Sequence, residues 1–143
     1  MGATGELDVV DLGSGEVIGT VGLAGRVGGI VIDPDMGLIY VAGLDSSTVS
    51  IIDAETREIV AALDVGRAPQ AIAADLSAAR VYVVNTFDDT VSVIDGRTLE
   101  VIATVSVGSL PQDIVTAGDG SLLYVASSGT SEIVVLEVEA LEP

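Results

Sequence analysis

The side chains able to do chemistry in this 143-residue chain are almost all carboxylates. Twenty-two Asp and Glu stand against five basic residues, all of them Arg (Arg26, Arg57, Arg67, Arg80 and Arg97), for a formal net charge of -17. His, Lys, Cys and Trp are absent. Without His or Cys there is no His/Cys zinc site, no His- or Cys-ligated haem, no iron–sulfur cluster and no disulfide. A His base and a Cys nucleophile are excluded too, so Ser and Thr hydroxyls have only carboxylates to activate them. Acids on their own bind cations through oxygen, or close turns through neighbouring amides.

Four acids recur at one spacing: Asp11, Asp53, Asp95 and Glu137. One reading is a ring of acids around a cation such as calcium. The other is an Asx-type turn, ahead of Ala54-Glu55-Thr56 or Gly96-Arg97-Thr98, and recurrence with similar turn residues favours it. Asp33-Pro34-Asp35-Met36-Gly37 and Ala117-Gly118-Asp119-Gly120-Ser121 lack the calcium-loop spacing and read as turns. Asp88-Asp89 beside Phe87 are less repetitive, with Asp45-Ser46-Ser47 and Gly129-Thr130-Ser131 in their place elsewhere. Variable loop side chains are where a rigid scaffold carries specificity, so Asp88 and Asp89 are binding candidates.

Arg26 and Arg67 lie in the loops Gly25-Arg26-Val27-Gly28 and Gly66-Arg67-Ala68-Pro69-Gln70. In so acidic a molecule they mark either an anion site or solvated loop cations that relieve repulsion. Gln70, Gln112 and Asp113 follow such loops and are expected at the mouth of a central channel. The Gly-rich piece Val27-Gly28-Gly29 has no phosphate-loop spacing. No metal site and no cofactor are expected.

These residues are set in a repeat. The segments Tyr40 to Val81 and Tyr82 to Leu123 are equal in length and align without a gap at 15 identities. Tyr-Val recurs at 40, 82 and 124, a period of 42, and Glu recurs in the same frame at 16, 58 and 100. Within a period, 80–86 and 90–95 alternate apolar and polar residues rich in Val, Ile, Thr and Tyr, as half-buried strands do. Residues 100–107 and 112–116 form two more strands, with Phe87-Asp88-Asp89, Asp95-Gly96, Gly108-Ser109-Leu110-Pro111 and Gly118-Asp119-Gly120 as turns. Four strands in every period predict an all-β fold, a β-propeller of four-stranded antiparallel blades with about three blades per chain. One domain is expected over 1–143: a partial blade at 1–25, blade repeats at 26–67 and 68–109, and a partial blade at 110–143. The Tyr series is expected to pack between blades.

Tyr82-Val83-Val84-Asn85, followed by Thr90-Val91-Ser92-Val93-Ile94-Asp95, resembles the YVTN family of β-propeller repeats. The preceding repeat keeps Thr48-Val49-Ser50-Ile51-Ile52-Asp53 but opens Tyr40-Val41-Ala42-Gly43. The last departs further, with Tyr124-Val125-Ala126-Ser127 and Glu132-Ile133-Val134-Val135-Leu136-Glu137. The resemblance implies a rigid binding or assembly platform, with surface-layer and other extracytoplasmic relatives. Related propellers carry redox cofactors or lactonase activity.

Three periods leave a second copy of one strand region, so that it occurs near both ends of the chain. Propellers usually have 4–8 blades, and three would not close alone. Either two chains join head to tail as a six-bladed homodimer, or the chain is a piece of a longer propeller. Protection of strand edges favours the dimer.

A phosphate-backbone partner is not expected, since such binding rests on Lys and Arg. No membrane span is expected either: the longest stretches free of charge, Val101 to Gln112 and Gly120 to Ser131, fall short of the roughly 20 residues needed. MGATGELDVVD has no basic region or apolar run and does not read as a signal peptide. The acidic, Lys-free composition also fits a high-salt cytoplasm. The expected function is a non-enzymatic binding or assembly module, with a protein or small-molecule ligand on the loop face. The alternatives are a piece of a lactonase-like or organic-cofactor-dependent enzyme, and a designed or truncated repeat protein whose only property is assembly.

Overall fold

Alternating apolar positions on successive short segments demand antiparallel strands buried on one or both faces. The computed structural model describes residues 5–138 and contains thirteen strands among them. An N-terminal pair, β1 (Gly5–Val10) and β2 (Val17–Leu23), is followed by a first blade of β3 (Val27–Asp33), β4 (Leu38–Gly43), β5 (Thr48–Asp53) and β6 (Ile59–Asp64). The second blade is β7 (Pro69–Asp75), β8 (Arg80–Asn85), β9 (Thr90–Asp95) and β10 (Glu100–Ser106). A third, three-stranded sheet is β11 (Pro111–Thr116), β12 (Leu122–Ser127) and β13 (Glu132–Glu137). The strands fall where the repeat frame puts them, with small shifts at their ends.

All pairings are antiparallel between consecutive strands, and the four sheets share no strand. Neighbouring sheets stack face to face, with β3, β7 and β11 side by side as the innermost strands. This is the all-β propeller architecture predicted from the repeat.

Period-two alternation explains the core. On β8, Tyr82 and Val84 face the third sheet and pack with Ile114, Leu123 and Val125, while Val81 and Val83 face the first blade and pack with Tyr40, Val49 and Ile51. Such a strand is apolar on both sides because it has a blade on both sides. Val21 and Leu23 of β2 pack in the same way on Val41 and Ile52 of the first blade.

The turns repeat with the strands. Left-handed residues recur 42 apart at Ser47, Asp89 and Ser131, at Gly15, Arg57 and Leu99, and at Ala68 and Leu110. The inner strands also share an irregularity near their start. Pairing jumps from Pro69 to Ala71 and from Pro111 to Asp113, so Gln70 and Gln112 are the extra residues of β-bulges. In β3 the bulge falls at Gly28-Gly29. A Cβ on Gly28 would lie 2.7 Å from the Gln70 carbonyl, so glycine is what lets β3 approach β7.

The Tyr series departs from expectation at its last member. Tyr40 and Tyr82 are 0% exposed, whereas Tyr124 is 37% exposed, because no described sheet lies over that face of β11–β13.

Candidate functional site

In an antiparallel blade, alternate connections fall on opposite rims. One rim carries the turns after the first and third strands, and there the recurrent acids act locally. Asp53 Oδ1 accepts the amides of Glu55 (2.8 Å) and Thr56 (3.0 Å), and Asp11 Oδ1 accepts those of Gly13 (2.8 Å) and Ser14 (3.0 Å). Asp95 Oδ1 accepts Arg97 N at 2.8 Å. These amide bonds hold the carboxyls of Asp53 and Asp95 below the ordinary Asp range, through Thr56 first in one case and Arg97 in the other. The turn after Glu137 lies outside the described residues. Asp33, Asp75 and Asp119 close the other turns of this rim, accepting Asp35 N at 3.0 Å, Ser77 N at 3.1 Å and Ser121 N at 3.0 Å.

The opposite rim gathers most of the binding candidates. A cleft of about 380 Å³ is lined by Arg26, Asp45, Ser47, Arg67, Gln70 and Phe87, among others. Two loop clasps build its walls. Asp45 takes the Arg26 backbone amide at 2.8 Å and the guanidinium at 2.8 Å, and Asp88 takes the Arg67 amide at 2.8 Å and Nε at 2.6 Å. Each clasp ties the loop entering an inner strand to the loop between the second and third strands of that same blade. Hydrogen bonding from Arg26 lowers the Asp45 pKa, and Arg67 does the same to Asp88; Arg26 is raised in turn. The two arginines are therefore paired with carboxylates, and the cleft is a mixed polar surface beside the exposed ring of Phe87.

The remaining candidates are dispersed. Asp89 pins the next loop by accepting Leu110 N at 2.9 Å. Thr86 Oγ1 donates to the Pro111 carbonyl at 2.8 Å and lies 3.1 Å from the Gln70 side-chain amide. Thr86 thus couples the second blade to the third sheet, a role the repeat frame hides because its equivalents are Leu44 and Ser128. Gln112 lines a separate recess with Ser127, Ser128 and Glu132, and Asp113 sits beside Tyr124 and Ile133 on the uncovered face of the third sheet.

The other arginines are also engaged. Arg57 Nη1 donates to the Ile18 carbonyl at 3.1 Å, Arg97 Nη1 to the Ala78 carbonyl at 3.2 Å, and Arg80 Nη1 lies 3.3 Å from Asp95 Oδ2. Every arginine in the chain has a structural partner. Among the described residues, no group of three or more acids is placed to share a metal ion.

Comparison with solved structures supports the same architecture. Hydrazine synthase from Kuenenia stuttgartiensis matches at 30% identity and a TM-score of 0.74, over 80% of this chain and 33% of that one. A functionally unknown protein from Desulfotomaculum acetoxidans matches at 18% identity and a TM-score of 0.76, over 92% of this chain and 48% of that one. The dihydro-heme d1 dehydrogenase NirN, solved in complex with DHE, matches at 18% identity and a TM-score of 0.68, over 92% and 32%. These neighbours are propeller-like, and the chain spans 32–48% of their length. No protein-family profile and no curated protein sequence matches the chain.

Proposed function

We propose that this chain is a non-enzymatic propeller module, of the kind the YVTN-like repeats suggest, whose first function is assembly into a closed ring. The observation that carries this reading is the uncovered face of the third sheet. Val115, Tyr124, Ile133 and Val135 are exposed there, while their equivalents one repeat earlier, Ala73, Tyr82, Val91 and Val93, are buried beneath the next sheet. A face built for a neighbouring blade is an association surface when that blade is absent. Two copies, each with about three blades, meet head to tail in a six-bladed ring, within the usual range for propellers.

Such a ring presents the Arg26–Phe87 cleft and its counterpart as a rigid loop surface for a ligand. Catalysis is argued against by the residue types: there is no His, Lys or Cys, and the Arg side chains are held in clasps and carbonyl contacts. The solution mass tests the reading. A ring has twice the 14.4 kDa chain mass, and a stable 14.4 kDa particle at high concentration contradicts it. Turnover of simple lactones above background would overturn the non-enzymatic assignment.

A second reading has its own support. The chain spans only 32–48% of the three solved neighbours, one of them a hydrazine synthase and one a dehydrogenase. It would then be part of a longer propeller, with the uncovered face meeting further blades of the same polypeptide.

A further inference from the structure

The head-to-tail ring, on which this inference rests, contains a conflict that decides how it closes. Two strands of this chain are built for one position. β1 and β13 are the same element of the repeat, three periods apart: Leu7 corresponds to Ile133 and Val9 to Val135. β1 already covers the outer part of the first blade, where Leu7 joins Val21, Leu23, Val41 and Ile52. Among the described residues, nothing covers the inner part of the same blade face. Ile30 and Ile32 of β3 are 50% and 52% exposed. Their equivalents in the second blade, Ile72 and Ala74, pack against the cluster of Tyr40, Val49 and Ile51.

The third sheet supplies what is missing. When Val115 and Tyr124 of one copy are laid on Ile30 and Ile32 of the next, they repeat the contact that Val31 and Tyr40 make with Ile72 and Ala74. That placement brings β13 onto the ground that β1 of the second copy occupies. One strand must leave.

We infer that β1 leaves, and that β13 of the other copy takes its place between β12 and the second copy's β2. Side chains on the two faces decide the outcome. β13 is apolar on both: Val134 and Leu136 pack on the second blade, while Ile133 and Val135 stand 67% and 53% exposed, free to cover Val41 and Ile52. β1 is free of charge on one face only. Its other face carries Glu6 and Asp8 beside Val10, and Asp8 corresponds to Ser92, which is 1% exposed in the second blade. Seating β1 in a completed blade would drive the Asp8 carboxylate into that buried position without a cation beside it, a costly desolvation. Seating β13 buries two more apolar side chains and no charge. β1 is thus a cover that holds the outer face of the first blade until a second copy arrives, and self-association is an exchange of one strand for another.

The chain has no Cys, so one engineered pair tests this. Asp8 and Thr20 are cross-strand partners on the exposed side of β1–β2, with Thr20 Oγ1 3.2 Å from Asp8 Oδ1. In the variant Asp8→Cys/Thr20→Cys, a disulfide holds β1 on β2. Sedimentation is expected to give the 14.4 kDa chain mass for the oxidised protein and twice that mass for the reduced protein and the wild type. A dimeric oxidised variant overturns the exchange while leaving the ring intact. A monomeric wild type overturns the ring, and the exchange with it. A second pair of variants covers the case in which the double substitution fails to fold. Leu7→Ser, which weakens the cover, is expected to tighten self-association about tenfold, and Ile133→Ser to weaken it by a similar factor. Weaker association of Leu7→Ser would place β1 inside the closed ring and refute the proposal.

Discussion

Tyr82 and Tyr124 hold the same place in successive repeats and follow the same backbone path, yet one is sealed and the other is open to solvent. The second blade has a sheet on each side, so both faces of β8 and β9 are core. Among the described residues the third sheet has one on one side only, so the apolar residues of its other face have no sheet to pack on. In a stacked architecture burial belongs to the interface between units, and a repeat's own sequence is not enough to bury it.

The largest effects should separate these two regions. Tyr82→Ala removes a buried aromatic ring and is expected to cost about 3–5 kcal/mol in urea unfolding. Tyr124→Ala in a dilute sample should cost less than about 1 kcal/mol, and equal losses would break the distinction. A smaller contrast comes from two glycines. Gly28→Ala puts a Cβ against the Gln70 carbonyl between stacked inner strands and should cost about 1–3 kcal/mol. Gly22→Ala, with nothing within 4 Å of its new Cβ, should stay within about 0.5 kcal/mol of wild type.

The turn rim gives a pH-dependent test. Asp53 is held below the ordinary Asp range by the amides of Thr56 and Glu55, so its ionised form favours the folded state. That contribution is present above the unfolded Asp pKa of about 4 and is lost as pH falls through the lower folded value. The stability difference between wild type and Asp53→Asn should therefore be full at neutral pH and shrink in acid; a pH-independent difference would remove the charge from the explanation. The smallest effect is expected at Ser131, exposed and left-handed at φ 55. Ser131→Gly relieves that conformation at the cost of a freer unfolded chain, for a net gain of about 0.5 kcal/mol in the same unfolding assay.

Strands and turn acids were legible in the sequence because their causes are local. Thr90-Val91-Ser92-Val93-Ile94 alternates as a pleated strand must, and Asp53 bonds amides two and three residues ahead. The candidate cleft was legible only in its parts. The step from Arg26 to Arg67 falls one short of the period, and the step from Asp45 to Asp88 overshoots it by one. Neither pair obeys the repeat frame, although the two clasps are alike. The pairing depends on loops meeting in space, which no alignment of repeats displays. Exposure of Tyr124 was hidden for a similar reason, since Tyr-Val reads alike in all three repeats.

The central claim is that the bare face of β3 and the bare face of the third sheet are complements, and mixing two disabled chains tests it most directly. Ile32→Glu spoils one face and Tyr124→Glu the other, so each protein alone should sediment at 14.4 kDa. Combined in equal amounts, they retain one intact interface between unlike chains, and a heterodimer of about 29 kDa, twice the chain mass, is expected. A mixture that stays at 14.4 kDa, beside a wild type that associates, would show that these two faces are not each other's partners.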